Sequence, residues 1–506
     1  MSGTTGAAEQ LFGSLSARSK KAALEIGGQA IAYGQLDSLS ARFAGSLAAH
    51  GVGPGDAVAV RTGTCPEAVV ALLGILRAGA VHVPLNPAFT DEETRHVLTD
   101  SGSKLTIAHG GGDGPLGKQL AFGEILAKGS PAPSPDVELP DEAIALLLYT
   151  SGTTGASKGV ELSLGAVVSN LSAVTNLWKI TEGDRVVMAL PLFHVHGLGL
   201  GVIGSLLHGA TVLLLDAFEP SRIIAAFQNE GATLFMGVPT MYVRLLEHLR
   251  RDPAAGAALS KGRLFTSGSA PLAAADFTAF REATGHAVLE RYGMTETLFT
   301  LSNPFEGERR PGTVGHPVPG CRIRIVDDEG RDVAHGEAGE LLVRGNGLMT
   351  RYRNRPEETR ASFREGWFLT GDVATQAADG YVTLHGRKTL DFVKSGGYRI
   401  STREIEEVLS RHPRVREVAV IGLPDRVWGQ RVVAAVTLRP APALPGAPGG
   451  SPDSLEGDLA RLAESALAPY KRPREIVILD ELPRNSLGKV QKPRLAQRLV
   501  DRPNPS

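Results

Sequence analysis

The chain has only two cysteines in 506 residues, Cys65 and Cys321. They lie far apart and show no metal-ligand spacing, so a reducing compartment fits and a zinc site does not. It also has no excess of charge of either sign. The 53 Lys and Arg against 54 Asp and Glu leave a net charge of -1. That balance leaves no electrostatic footprint for nucleic acid or an anionic membrane. Long apolar runs are lacking too. The stretch from Leu198 to Leu215 is broken by Gly, Ser and His, which argues against a membrane span. Met1 to Gln10 is mostly small and polar, without the basic and apolar regions of a signal peptide. The expectation is a cytoplasmic protein without a nucleic-acid or membrane partner, and no obligate protein partner is inferred.

What is present is ordinary globular material: 42% hydrophobic and 21% charged residues. A chain this long divides into two or more domains. The stretch Leu147 to Val160 organises the rest. An apolar run from Ile144 to Tyr149 reads as a buried strand. It opens into Thr150, Ser151, Gly152, Thr153, Thr154 and Gly155, and Lys158 follows. The glycines allow close backbone approach, the hydroxyls donate, and the loop N–H groups can form an anion nest. This is a phosphate cradle in chemical terms. It is not a Walker A loop, because Lys158 lies between Ser157 and Gly159. The same composition also fits a surface turn, and the rest of the chain decides between the two.

Before that loop, hairpin, helix and strand patterns alternate from residue 23 to Ala108, which indicates parallel-sheet units. Gly110 to Asp136 reads as a surface connection rich in Gly and Pro. After the loop, several strands end in Gly, Ser or Thr. They lead into Pro191 to Gly197, Ser267 to Leu272 and Tyr292 to Thr297. Such strand ends suit one composite site at a sheet edge. The pair His194 and His196 fits either a ligand site or packing imidazoles. From about residue 315 short alternating strands suggest a small β-rich subdomain, to about 387. Beyond residue 388 an α+β pattern returns, interrupted by Pro440 to Pro452, which reads as a disordered loop. The expected fold is α/β and α+β: residues 1–387 as a large domain of parallel α/β sheets with the β-rich part, and 388–506 as a small α+β domain.

Eight segments in order carry a resemblance: Tyr149–Gly159, Pro191–Gly197, Ser267–Leu272, Tyr292–Glu296, Thr370–Asp372, Gly386–Arg387, Ser395–Ile400 and Pro483–Lys489. With them the chain resembles the acyl-adenylate-forming enzymes, the group of acyl-CoA synthetases, adenylation domains and luciferases. The resemblance implies ATP, Mg²⁺ and CoA. It implies that Lys158 and the Thr150–Gly155 loop hold the β- and γ-phosphates, that Thr295 contacts the α-phosphate and that Glu296 holds Mg²⁺. Tyr292 and Gly293 would pack on adenine, with Ser269, Ala270 and Pro271 on its other side. Asp372 would accept the ribose hydroxyls beside Arg387, and Lys489 would contact the reacting oxygens. A mobile C-terminal domain would then turn Ser395, Gly396, Gly397 and Tyr398 towards the site for thiolation. The hinge departs from the usual pattern, since Arg387 to Asp391 is one residue longer, leaving Lys388 or Thr389 as pivot.

Arg291 is the informative residue for the acid. A guanidinium there would point into the acyl pocket with His196 and Met294, and a buried cation needs a partner such as a carboxylate. The surrounding residues look like those of malonyl-CoA synthetases, so malonate or methylmalonate is the expected acid. Pairing of Arg291 with Glu290 or another acid of the chain is the bland alternative. Another acid or oxyanion, passed to an amine or carrier-protein thiol instead of CoA, is the rival activity.

Overall fold

The computed structural model describes residues 6–114, 117–127, 139–150, 157–388, 391–395, 398–425, 427–439, 452–485 and 488–500. Its architecture is the mixed α/β and α+β one expected. A nine-stranded sheet runs in the order His316–Pro317, Leu298–Ser302, Leu289–Met294, Leu264–Ser267, Leu234–Gly237, Arg185–Met188, Thr211–Leu214, Ala22–Ile26 and Gln29–Ala32. From Leu289–Met294 to Ala22–Ile26 its neighbours pair in parallel. An eight-stranded sheet places Ala57–Arg61 between Val81–Pro84 and Leu105–Ala108, with Ile144–Thr150 beyond.

These two sheets and their helices share one apolar core. The helix Pro66–Arg77 shows why. Its residues from Ala68 to Leu76 are all buried, so it is an interior helix without a wet face. Phe43 of a neighbouring helix packs so close that a Cβ at Gly74 would meet Phe43 Cδ1 at 2.6 Å. Any larger residue there would overpack the core, at about 1–3 kcal/mol.

A five-stranded antiparallel sheet follows, built on Cys321–Val326, Gly339–Gly345, Trp367–Gln376 and Val382–Arg387. The last sheet pairs Val415–Asp425 with Gly429–Leu438 and has its own two apolar clusters.

One stretch differs from the sequence-based expectation, and one strand adds to it. Gly110 to Asp136 is more than a connection. It contains the strands Gly112–Gly114 and Gly117–Ala121 and the helix Phe122–Ala127. Leu120 pairs with Ile107 on the sheet edge, and Ile125 is fully buried. Glycine signals dominate locally, and tertiary pairing overrides them. Lys158–Ser163 is also a strand, antiparallel to Ile144–Thr150, so the chain doubles back at Lys158. Most of the expected disordered loop, 440–451, lies outside the described residues. Among the described residues no helix is long and apolar enough to cross a membrane.

Candidate active site

The strand Leu289–Met294 presents Glu290, Arg291 and Tyr292 in succession. Strand side chains alternate, so Arg291 leaves on the face opposite its two neighbours. Tyr292 Oη donates to Asp372 Oδ2 at 2.5 Å. Arg387 Nε lies 2.9 Å from Asp372 Oδ1. Asp372 and Arg387 face each other across the antiparallel pair Trp367–Gln376 and Val382–Arg387, which sets this geometry. Arg387 Nη1 also donates to the Thr370 carbonyl at 3.0 Å. Burial pushes the Asp372 carboxyl above its ordinary value despite the Arg387 charge.

Lys489 reaches the same cluster from the last domain. Its N–H donates to Asn485 Oδ1 at 2.9 Å. Arg484 donates to the Gly488 carbonyl and pairs with Glu417. Gly488 has φ +76, and a Cβ there would meet Thr240 Oγ1 at 2.8 Å. Only glycine suits both demands. A cleft of about 180 Å³ opens beside this contact, lined by Pro191, Val238, Met241 and Arg244. Lys489 keeps solvent contact, yet desolvation in the crowded cleft lowers its pKa, with the Arg387 charge next. Asp372 and Asp391 act in the opposite direction.

The other end of the site centres on Tyr352, which belongs to the short strand Arg351–Tyr352 beside Lys158–Ser163. Buried Glu161 fastens it there, between Arg351 Nε and Arg353 Nη1, each at 2.9 Å. Tyr352 Oη donates to Glu296 Oε1 at 2.9 Å. The Lys158 ammonium lies over the Tyr352 ring, 5.4 Å from its centroid, and is paired with Glu358. Burial raises the Glu296 carboxyl. The flanks of the glycine loop are held by the helix Asp91–Ser101. Tyr149 Oη donates to Asp100 Oδ2 at 2.8 Å, and His96 Nε2 donates to the Ser157 carbonyl at 2.8 Å. Ser151, Gly152, Thr153, Thr154 and Gly155 themselves lie outside the described residues.

On the opposite face, Arg291 is buried, and among the described residues its Nε and Nη2 have no hydrogen-bond partner. Its Cζ lies 4.7 Å from the Phe299 ring centroid. Gly268 gives it room, since a Cβ there would meet Arg291 Cζ at 2.5 Å. Burial pushes the guanidinium down to about 9. Glu290 does not serve it. That carboxylate accepts from Leu272 N at 3.2 Å and Gly312 N at 3.1 Å. His196 is buried beside Phe299, 6.5 Å between ring centroids, with both ring nitrogens unpartnered. Burial first, and Arg291 next, hold it far below the ordinary histidine value. It opens a π-helix, His196–Gly204, a form that recurs at functional sites. Asn170 clamps Phe299 by its backbone, accepting from its N–H at 3.1 Å and donating to its carbonyl at 2.9 Å. Ser269 (φ 69) and Leu298 (φ 52) hold left-handed backbone without being glycine. Such strain collects at binding sites.

The structure thus gathers Tyr292, Asp372, Arg387 and Lys489 in one cluster. Glu296 and Lys158 meet across Tyr352, and Arg291 and His196 meet across Phe299. Met294 Sδ lies 3.8 Å from Tyr292 Oη, and Thr295 sits in the turn before Glu296. Ser395 is buried in the last sheet, opposite Gly429. Gly396 and Gly397 lie outside the described residues, as does the Tyr398 side chain. Sequence reasoning missed Tyr352, Glu358, Phe299 and Asn170. None stands in a motif, and Tyr352, Glu358 and Asn170 act through partners distant in sequence.

Fold and site together define the class, and comparison with known proteins agrees. The chain belongs to the AMP-binding enzymes. The profile described as AMP-binding enzyme matches residues 13–353, and that of the AMP-binding enzyme C-terminal domain matches 404–489. It is an acid–thiol ligase of the acyl-adenylate-forming group, working with ATP, CoA and a small carboxylic acid. Among particular proteins, it is 36% identical to the mitochondrial malonate–CoA ligase of Xenopus laevis, covering 84% of this chain and 80% of that one. It is 34% identical to the oxalate–CoA ligase of Arabidopsis thaliana, covering 95% and 96%. ATP-bound MatB from Rhodopseudomonas palustris superposes with a TM-score of 0.88 at 34% identity, covering 98% and 99%; its apo form gives 0.78.

Proposed function

We propose that this chain activates malonate or methylmalonate with ATP and transfers the acyl group to CoA. The observation that carries the acid is Arg291: a buried guanidinium with two nitrogens unpartnered and no acid pairing with it among the described residues, and an aromatic ring beside it. An unpaired buried cation is costly. The second carboxylate of a dicarboxylic acid offsets that cost through charge-assisted hydrogen bonds. A monocarboxylate leaves it uncompensated. Neutral His196 lines the same pocket as a hydrogen-bonding group.

In the first step the other carboxylate of the acid attacks the α-phosphorus of ATP. The bond to the β-phosphate breaks and pyrophosphate leaves. Such transfer needs positioning and charge neutralisation more than a protein nucleophile. Lys158 takes the β- and γ-phosphates, and Thr295 donates to the α-phosphate. Tyr292, Gly293 and the Ser269–Pro271 turn hold adenine. Asp372 and Arg387 take the ribose, and Lys489 neutralises the reacting oxygens. Glu296 would hold the Mg²⁺ carried in by ATP, which would neutralise phosphate charge; an ion that keeps several waters needs few carboxylates. The CoA sulfur then attacks the acyl carbon and AMP leaves with the electron pair.

For the second step the domain from residue 388 onwards turns, bringing the Ser395–Tyr398 stretch inward. Lys388 Nζ lies 2.7 Å from Asp328 and 3.3 Å from Glu340, and its N–H donates to Gly371 O at 2.8 Å. These anchors to the first body favour Thr389 of the two candidate pivots.

The test is ATP-dependent pyrophosphate release across malonate, methylmalonate, oxalate, acetate, butyrate, benzoates, cinnamates and nitrite, with and without CoA. CoA-dependent turnover with malonate or methylmalonate first supports the proposal. Preference for an aromatic acid or nitrite, or steady turnover without CoA, defeats it.

A further inference from the structure

We infer that Glu358 is a built-in competitor of the nucleotide's phosphates at Lys158, and that it drives pyrophosphate off after adenylation. The inference rests on the reading of Lys158 as the phosphate lysine. Glu358 Oε2 pairs with the Lys158 ammonium, while Glu358 Oε1 lies 3.5 Å from Arg355 Nε. One carboxylate therefore bridges two cations. The same ammonium also lies 5.4 Å from the centroid of the Tyr352 ring, a second contact that does not depend on Glu358. Glu358 sits on the short helix Pro356–Ala361, which has no buried residues, and its side chain is 41% exposed. It can turn outward to Arg355 without disturbing a core.

The charges set the order of events. A half-exposed ion pair is worth little and is easily broken. The several negative charges of a triphosphate outweigh one carboxylate at Lys158, so ATP displaces Glu358 onto Arg355. Once the bond to the β-phosphate breaks, pyrophosphate keeps its hold on Lys158 but is no longer tethered to the adenosine. Glu358, still covalently held beside the ammonium, then competes at a high effective concentration. AMP carries no β- or γ-phosphate and is indifferent to this exchange. Glu358 thus separates the fate of the two products. It is a positioning residue for Lys158 and does not react.

The experiment titrates ATP, inorganic pyrophosphate and AMP, each without acid substrate, into the full-length wild type, Glu358→Gln and Lys158→Met. Glu358→Gln is expected to bind ATP and pyrophosphate about three- to fivefold more tightly, the size expected from removing a half-exposed pair. AMP affinity stays unchanged, and pyrophosphate becomes a stronger product inhibitor of turnover. Glu358→Asp retains the carboxylate and restores part of the wild-type behaviour. Unchanged or weaker pyrophosphate binding in Glu358→Gln overturns the inference, as does an equal gain for AMP. Lys158→Met separates the two levels. If it weakens ATP and pyrophosphate while Glu358→Gln moves neither, the phosphate lysine stands and Glu358 falls. If it moves neither ligand, the reading of Lys158 fails and the inference with it.

Discussion

Arg291 holds its guanidinium over the Phe299 ring, with Cζ 4.7 Å from the ring centroid and, among the described residues, no hydrogen-bond partner for Nε or Nη2. Under the proposed function, removing it takes away the charge that a second carboxylate needs. Arg291→Ala is expected to lower kcat/KM for malonate on the order of 100-fold, the effect of truncating one partner of a buried charged pair. Acetate and butyrate should change far less. Steady-state kinetics on the three acids checks this, and a uniform loss would make Arg291 structural.

Phe299 should matter chiefly through Arg291. Cation–π contacts reach about 2 kcal/mol when desolvated. Phe299→Leu is therefore expected to narrow the malonate-to-butyrate ratio by up to about 30-fold, while Phe299→Tyr keeps most of it. A Leu variant with an unchanged ratio would show that the ring only fills space.

We propose that Lys489 acts in the first half-reaction. Lys489→Ala should abolish acid-dependent pyrophosphate release and spare transfer of a supplied acyl-adenylate to CoA. Single-turnover measurement of the two steps separates them. Equal loss in both would remove Lys489 from its assigned role.

Glu290 gives the fold a pH dependence. Burial raises its carboxyl from 4.5 to about 7, against two backbone N–H donors that favour the charge. A raised folded-state pKa contributes stability that is complete below about pH 4.5 and lost as the pH climbs through about 7. The contribution is roughly 3 kcal/mol. Glu290→Gln should flatten that part of the melting-temperature profile between pH 4.5 and 8. A variant profile parallel to the wild type would contradict it.

Much of this was legible in the sequence. Apolar periodicity marks the strands and helices from residue 22 to Ala108 and the parallel strands that end at the site, because those elements bury one regular face. Arg291 stood out through the resemblance alone, as a guanidinium expected in the acyl pocket. Glu358 and Tyr352 were not. Tyr352 meets Glu296 56 residues away, and its neighbour Arg353 reaches Glu161 across 192 residues. Such contacts come from sheet assembly and leave no local pattern. Phe299 looks like any core aromatic until the guanidinium above it is seen. The strand Gly117–Ala121 was hidden for the same reason, since its pairing with Leu105–Ala108 outweighs its glycine-rich text.

We propose that the buried Arg291 guanidinium selects a dicarboxylic acid for attachment to CoA. The most direct measurement is the rate of ATP-dependent pyrophosphate release with malonate against butyrate, in the presence and absence of CoA. The account predicts rapid, CoA-dependent turnover of malonate and at least tenfold slower turnover of butyrate, about 1.4 kcal/mol or more of discrimination. Equal rates for the two acids, or malonate turnover indifferent to CoA, would contradict it.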